Sequence, residues 1–206
     1  MRSPLTHLLA CGFLCLAVMG PAGAALATDD ASALQTRVTA SKEEIMRSYI
    51  LQDFPSPHPP FSFNILMPKD WLWFEKEGRP TEPNGKPQLL IAYGDRGDTS
   101  LVEILALHTE RPVVPADWLH EWLKVNNYQI LANRIIPAAT GRNADVKARK
   151  MVKGRPVLFR IRTFQKDDYI YILHCFSDEE TYPQVEQHFL VAAETFELTG
   201  NTKGAP

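Results

Sequence analysis

Residues 145–176 read DVKARKMVKGRPVLFRIRTFQKDDYIYILHCF. Three runs rich in β-branched and aromatic residues, Asp145 to Val152, Val157 to Phe164 and Tyr169 to Phe176, are separated by two short polar breaks. The breaks are Lys153-Gly154-Arg155-Pro156 and Gln165-Lys166-Asp167-Asp168. Connections this short cannot carry a parallel crossover, so the three strands form antiparallel hairpins. The run Tyr128 to Pro137 precedes them and adds a fourth strand.

Outward from this meander the periodicity changes. Before it, Pro115-Ala116-Asp117 opens a helix in which Trp118, Leu119, Trp122, Leu123 and Val125 recur at three- and four-residue spacing until Asn126-Asn127. That spacing lays one apolar stripe along a helix. After it, Glu179 to Phe196 predicts a closing helix whose inner face carries Val185, Phe189, Ala192, Ala193 and Phe196. Upstream, Phe61, Phe63, Ile65 and Met67 alternate with more polar neighbours, a half-buried strand ended by Pro68. Trp71 to Phe74, Pro87 to Tyr93 and Thr99 to His108 predict three more strands, with a Gly/Pro-rich loop from Gly78 and a turn at Gly94–Asp98. Trp71 and Trp73, two apart, are expected on one sheet face. The expected class is α+β: a mainly antiparallel sheet flanked by helices.

The first 27 residues have the marks of a secretory signal. Arg2 is a short basic start, Leu8 to Met19 is apolar, and Ala22-Gly23-Ala24 and Ala25-Leu26-Ala27 are small-residue cleavage signals. Cleavage after Ala27 or Ala24 predicts a periplasmic or secreted chain. The apolar run is too short for a spanning helix, and no second run is longer. Processing removes Cys11 and Cys15 and leaves Cys175, in an apolar strand where burial is expected.

The whole chain has 22 basic and 24 acidic side chains among 206 residues and is 45% hydrophobic. This composition is globular, and its near-neutral balance argues against a dedicated nucleic-acid binder. Residues 28–60 predict an extension, a polar helix or tether from Ala31 to Leu51 closed by Phe54-Pro55-Ser56-Pro57-His58-Pro59-Pro60. Four prolines in seven residues make a spacer, so the extension is expected to be dispensable for folding. The main domain is placed at 61–198, with a disordered tail at 199–206.

Phe61-Ser62-Phe63-Asn64-Ile65 followed by Pro68-Lys69-Asp70-Trp71 resembles the strand and P-x-x-W opening of PsbP-like domains. The charged strand Val146 to Met151, the Gly154 turn, the strand Val157 to Phe164 and the ending Glu194-Thr195-Phe196 are similar to the same superfamily. The resemblance covers residues 61–198 and implies an α/β/α sandwich without a common enzymatic activity, used as a scaffold or adaptor. No cofactor is expected.

No motif for catalysis stands out. His58, His108, His120, His174 and His188 form no H-E-x-x-H pair, no G-x-S-x-G elbow occurs, and Gly94–Asp98 lacks the calcium-loop pattern. His174 and Cys175 point to opposite faces of a regular strand and cannot act on one another. No catalytic, metal or cofactor residue is assigned. The expected role is a non-enzymatic binding or assembly-accessory module, monomeric or weakly associated, with a protein partner in the cell envelope or in a larger secretion complex. The alternative is a small-ligand or metal-binding periplasmic protein, hydrolytic or not, with a pocket near Trp118, Trp122 and the histidines.

Residues 142–166 carry nine basic side chains against one acid, Asp145. Strand alternation places Lys147 with Arg149, and Arg160 with Arg162, and a hairpin turning near Gly154 brings the pairs together. Two readings stand. One is a solvated sheet face balanced by Asp167, Asp168, Glu179 and Glu180. The other makes Lys147, Arg149, Arg160 and Arg162 a docking surface for an acidic partner.

Overall fold

The long hairpin of the sequence turns where the chain supplies the needed backbone. Lys153 (φ 51°) and Gly154 (φ 80°) both lie in the left-handed region. Positive φ at both central residues matches the right-handed twist of the strands they join. The computed structural model describes residues 34–54, 61–75, 86–97, 99–139 and 141–199. The signal segment, the proline cluster after Phe54, most of the Gly/Pro-rich loop and the tail beyond Thr199 lie outside the described residues.

The elements run α1 (Lys42–Ser48), β1 (Tyr49–Phe54), β2 (Phe63–Pro68), β3 (Leu72–Glu75), β4 (Gln88–Gly94), β5 (Ser100–His108) and α2 (Pro115–Val125). Then come β6 (Gln129–Ala138), β7 (Gly141–Val152), β8 (Arg155–Lys166), β9 (Tyr169–Asp178), α3 (Tyr182–Thr195) and β10 (Glu197–Leu198). Seven strands form one antiparallel sheet in the order β3-β4-β5-β9-β8-β7-β6. A smaller antiparallel sheet has the order β1-β2-β10.

Alternation along the large sheet divides the interior into two cores. Leu119 and Leu123 of α2 pack on Val146, Phe159, Ile161, Ile170 and Ile172. On the opposite face, Tyr182, Val185 and Phe189 of α3 and Phe63, Ile65 and Met67 of β2 pack on Ile104, Tyr171, Leu173 and Cys175. The α+β architecture expected from the sequence is therefore present, with the small sheet sharing a face with α3. The predicted opposition of His174 and Cys175 also holds, since they join different faces.

Two expectations are corrected. The sequence predicts a helix or tether to Leu51, separate from the domain. Only Lys42–Ser48 is helical, started by a capping box between Ser41 and Glu44. Tyr49–Phe54 then pairs with β2 along its whole length, and Tyr49 and Phe54 are buried. Partners for the β2 backbone and burial of two aromatic rings outweigh the polar character of Gln52 and Asp53, so the domain begins well before Phe61. The second correction concerns the paired tryptophans. Trp71 precedes β3 and packs edge-on against His188 and Phe189, whereas Trp73 is exposed.

Candidate functional site

Three side-chain groupings could carry function. The first is the basic cluster. The register sets Asp145 opposite Arg162 and Lys147 opposite Arg160. Hence the two predicted basic pairs do meet on one face. That face, however, lies under α3. Arg160 is 1% exposed and Lys147 is 2% exposed. Arg160 grips Asp145 with two nitrogens, Nε to Oδ1 at 3.1 Å and Nη2 to Oδ2 at 2.7 Å. Its remaining Nη1 donates to the Gln35 carbonyl at 2.9 Å.

The other charges are matched from the helix side. Lys147 donates to Glu186 at 3.0 Å and sits over the Tyr182 ring. Arg162 donates to Glu194 at 2.8 Å, and Arg149 donates to Glu179 at 2.8 Å. Arg134 bridges Asp145 and Glu194. Lys147 and Arg160 are therefore not a solvent-facing docking surface. The cluster is an internal ion network, and of the four residues Arg149 is the most open. The alternative, a solvated face, is also corrected: Glu179 does take part, but Asp145 of β7 and Glu186 and Glu194 of α3 supply the rest. The spacing of eight between the two α3 glutamates places both on the helix face toward β7 and β8. That spacing was the legible signal, once the helix was known to cover this face.

The second grouping went unseen in the sequence. Under the C-terminal end of α2, the His174 Nδ1 lies 2.9 Å from a Glu103 carboxylate oxygen, and its Nε2 lies 3.3 Å from the Tyr128 hydroxyl. Glu103 and His174 are cross-strand partners on β5 and β9. Phe159 stacks on the imidazole, and Trp122 meets it edge-on. Burial, reinforced by the Glu103 charge, pushes the Tyr128 hydroxyl up to about 12. The hydroxyl thus keeps its proton and is hydrogen-bonded to His174. Glu103, His174 and Tyr128 form a chain of hydrogen bonds that occupies both ring nitrogens. Among the described residues no group of three His, Cys, Asp or Glu side chains is placed to hold a metal ion. Burial raises the Cys175 thiol far above its ordinary range, which removes its nucleophilic form.

The third grouping is apolar and exposed. β3 is an edge strand, and on it Leu72 is 60% and Trp73 59% exposed. Trp73 is the cross-strand partner of Tyr93 on β4, so the two side chains share a sheet face, Tyr93 buried and Trp73 exposed at the edge.

The architecture has a counterpart among solved structures. The chain is similar to the solution structure of cyanobacterial PsbP (CyanoP) from Synechocystis sp. PCC 6803, with a TM-score of 0.54 and 12% identity. The match spans 72% of this chain and 92% of that one. The fold is PsbP-like. Looser matches are LpqN of Mycobacterium tuberculosis, described as involved in cell envelope biogenesis, and PA94 from Pseudomonas aeruginosa. LpqN gives a TM-score of 0.43 at 12% identity over 76% of this chain and 95% of that one. PA94 gives 0.43 at 10% identity over 73% and 99%. No family model and no curated protein matches the sequence. Within the PsbP-like fold, the ion network ties the sheet to α3, and the Glu103–His174–Tyr128 chain ties β5 and β9 to the turn after α2. Among the described residues no helix is long and apolar enough to cross a membrane.

Proposed function

We infer that the chain is an exported, non-enzymatic binding or assembly-accessory module acting through protein–protein contacts in the cell envelope. The observation that carries this reading is the edge strand β3 with its exposed Leu72 and Trp73. A tryptophan exposed on a sheet edge is a recurrent anchor of protein interfaces, and an apolar edge left uncovered by the described residues invites a partner. The signal-like segment, with cleavage after Ala27 or Ala24, supports a periplasmic or secreted location. The contact is apolar in character, since the four cations first considered for docking are matched by Asp145, Glu179, Glu186 and Glu194. The module itself is monomeric or weakly associated.

The test is photo-crosslinking in cells from a reactive amino acid placed at Leu72, with a second placed at the exposed Glu121 of α2 as control. The reading expects one discrete adduct from position 72 and none from 121. Equal, diffuse adducts from both positions would overturn it.

A second reading, a small-ligand or hydrolytic protein, draws on the carboxylate–imidazole–hydroxyl order of Glu103, His174 and Tyr128. A hollow of about 650 Å³ beside Tyr128, lined also by His120, Lys124 and Ile130, gives it a place for a ligand. The firmly held Tyr128 proton and the enclosing Trp122 and Phe159 rings weigh against it, because a nucleophilic hydroxyl needs both deprotonation and access.

A further inference from the structure

The segment from Leu34 to Ala40 is held differently from the rest of the domain. It is neither helix nor strand, yet Leu34, Gln35, Val38 and Ala40 are half-buried. Among the described residues no backbone–backbone hydrogen bond joins it to either sheet. Two side chains of the domain hold it instead. Arg160 Nη1 donates to the Gln35 carbonyl at 2.9 Å. Gln187 Oε1, on α3, accepts from Gln35 Nε2 at 3.2 Å, from Thr39 Oγ1 at 2.9 Å and from the Thr39 amide at 3.5 Å.

One of the two holding groups is prepared without the segment. Arg160 is fixed by its two bonds to Asp145, so Nη1 is the nitrogen left to face outward. A guanidinium on a main-chain carbonyl and an amide on a main-chain N–H recognise extended polypeptide regardless of most side chains. The fit is also incomplete. Gln187 Nε2 is buried and has no partner. A buried donor without an acceptor is costly, so a segment that supplied an acceptor there would sit better than Leu34–Ala40 does.

We propose that Arg160 and Gln187 form a docking site for an extended segment of a partner protein, and that residues 34–40 fill this site in cis until that segment displaces them. The partner segment presents a main-chain carbonyl to Arg160, a Ser or Thr hydroxyl to Gln187 Oε1, and a carbonyl or carboxylate oxygen to Gln187 Nε2. This deepens the reading of the chain as a binding module. It is separable from that reading's β3 edge, since neither Leu72 nor Trp73 enters it.

The experiment uses the full mature chain and a fluorescent peptide copying residues 34–41. The peptide competes with the cis segment, so the parent binds it weakly and saturably. Thr39→Ala in the chain loosens the cis segment, and the variant binds the peptide at least threefold more tightly. Gln187→Ala damages the site itself and lowers peptide binding at least tenfold. Amide exchange on the parent supplies a readout free of mutation: residues 36–40 exchange at least tenfold faster than the paired amides of β8. Weaker or unchanged binding by Thr39→Ala, unchanged binding by Gln187→Ala, or protection of 36–40 equal to that of β8 overturns the proposal.

Discussion

Lys147 stands directly opposite Arg160 on the paired strands β7 and β8, and both are buried. Two like charges facing each other across an antiparallel pair repel. The arrangement persists because each cation has its own acid: Asp145, on the same strand as Lys147, takes Arg160, and Glu186 reaches from α3 to Lys147. A buried pair of this kind is sensitive to losing one member. Removing a single partner leaves an uncompensated charge in the interior, which costs about 3–5 kcal/mol. Asp145→Ala is therefore expected to lower unfolding free energy by about that amount. The double variant Asp145→Leu with Arg160→Met, which replaces both charges by apolar side chains, should recover most of the loss. Urea unfolding of the three proteins checks this. A single variant as stable as the parent would refute the role given to the network.

The first segment of the domain makes a second test. Phe54 stacks on Phe63 at 4.8 Å between ring centroids, and β1 supplies a hydrogen-bonded neighbour to β2. Phe54→Ala should cost about 3 kcal/mol or somewhat more, the range for deleting a buried aromatic ring. A chain beginning at Phe61 loses β1 altogether and should show no cooperative melting near the parent temperature. Retention of the parental melting point by the shortened chain would restore the sequence-based expectation that residues 28–60 are dispensable.

The meander was legible because its signals are local. Gly154 and the Asp167-Asp168 pair punctuate the strands, and alternation from Val157 to Phe164 assigns their faces. The helix from Pro115 to Val125 was equally plain, since its stripe and its Asn stop lie within eleven residues. Strand β1 was not legible. Its sequence YILQDF has an acid and an amide at the centre, and its pairing with β2 is a fact of tertiary structure. The charge cluster shows the same limit. Register put the basic pairs together, but only the placement of α3, which sequence spacing does not give, decides between a solvated face and an ion network. Glu103 and His174 are 71 residues apart, and no local pattern joins them.

His188 makes stability pH-dependent. Burial lowers its pKa from the ordinary 6.5, with Asp70 acting weakly the other way. Its Nδ1 lies 2.6 Å from the Tyr49 hydroxyl. The folded state thus favours the neutral ring, and the unfolded chain binds the proton more readily. The contribution is complete above pH 6.5 and is lost as pH falls from there through the lower folded-state value. His188→Gln should flatten the fall in melting temperature over this window. An unchanged pH profile in the variant would show that another group is responsible.

Cys175 is fully buried, and its thiol is held in the protonated form. Native protein prepared without residues 1–27 should not react with a thiol reagent on the timescale of minutes, and should react completely in denaturant. Rapid labelling of the native protein, or a disulfide-linked dimer on a non-reducing gel, would contradict the buried placement.

The central claim is that the β3 edge is a partner surface. Because Leu72 and Trp73 are exposed, replacing both by Ala should shift stability by no more than about 0.5 kcal/mol, as for ordinary surface sites. The most direct measurement is affinity capture from an envelope fraction, comparing tagged parent with the Leu72→Ala, Trp73→Ala double variant at matched expression and equal melting temperature. The account predicts a defined co-purifying protein with the parent and at least a tenfold loss of it with the double variant. Equal recovery of the same protein by both would contradict the account.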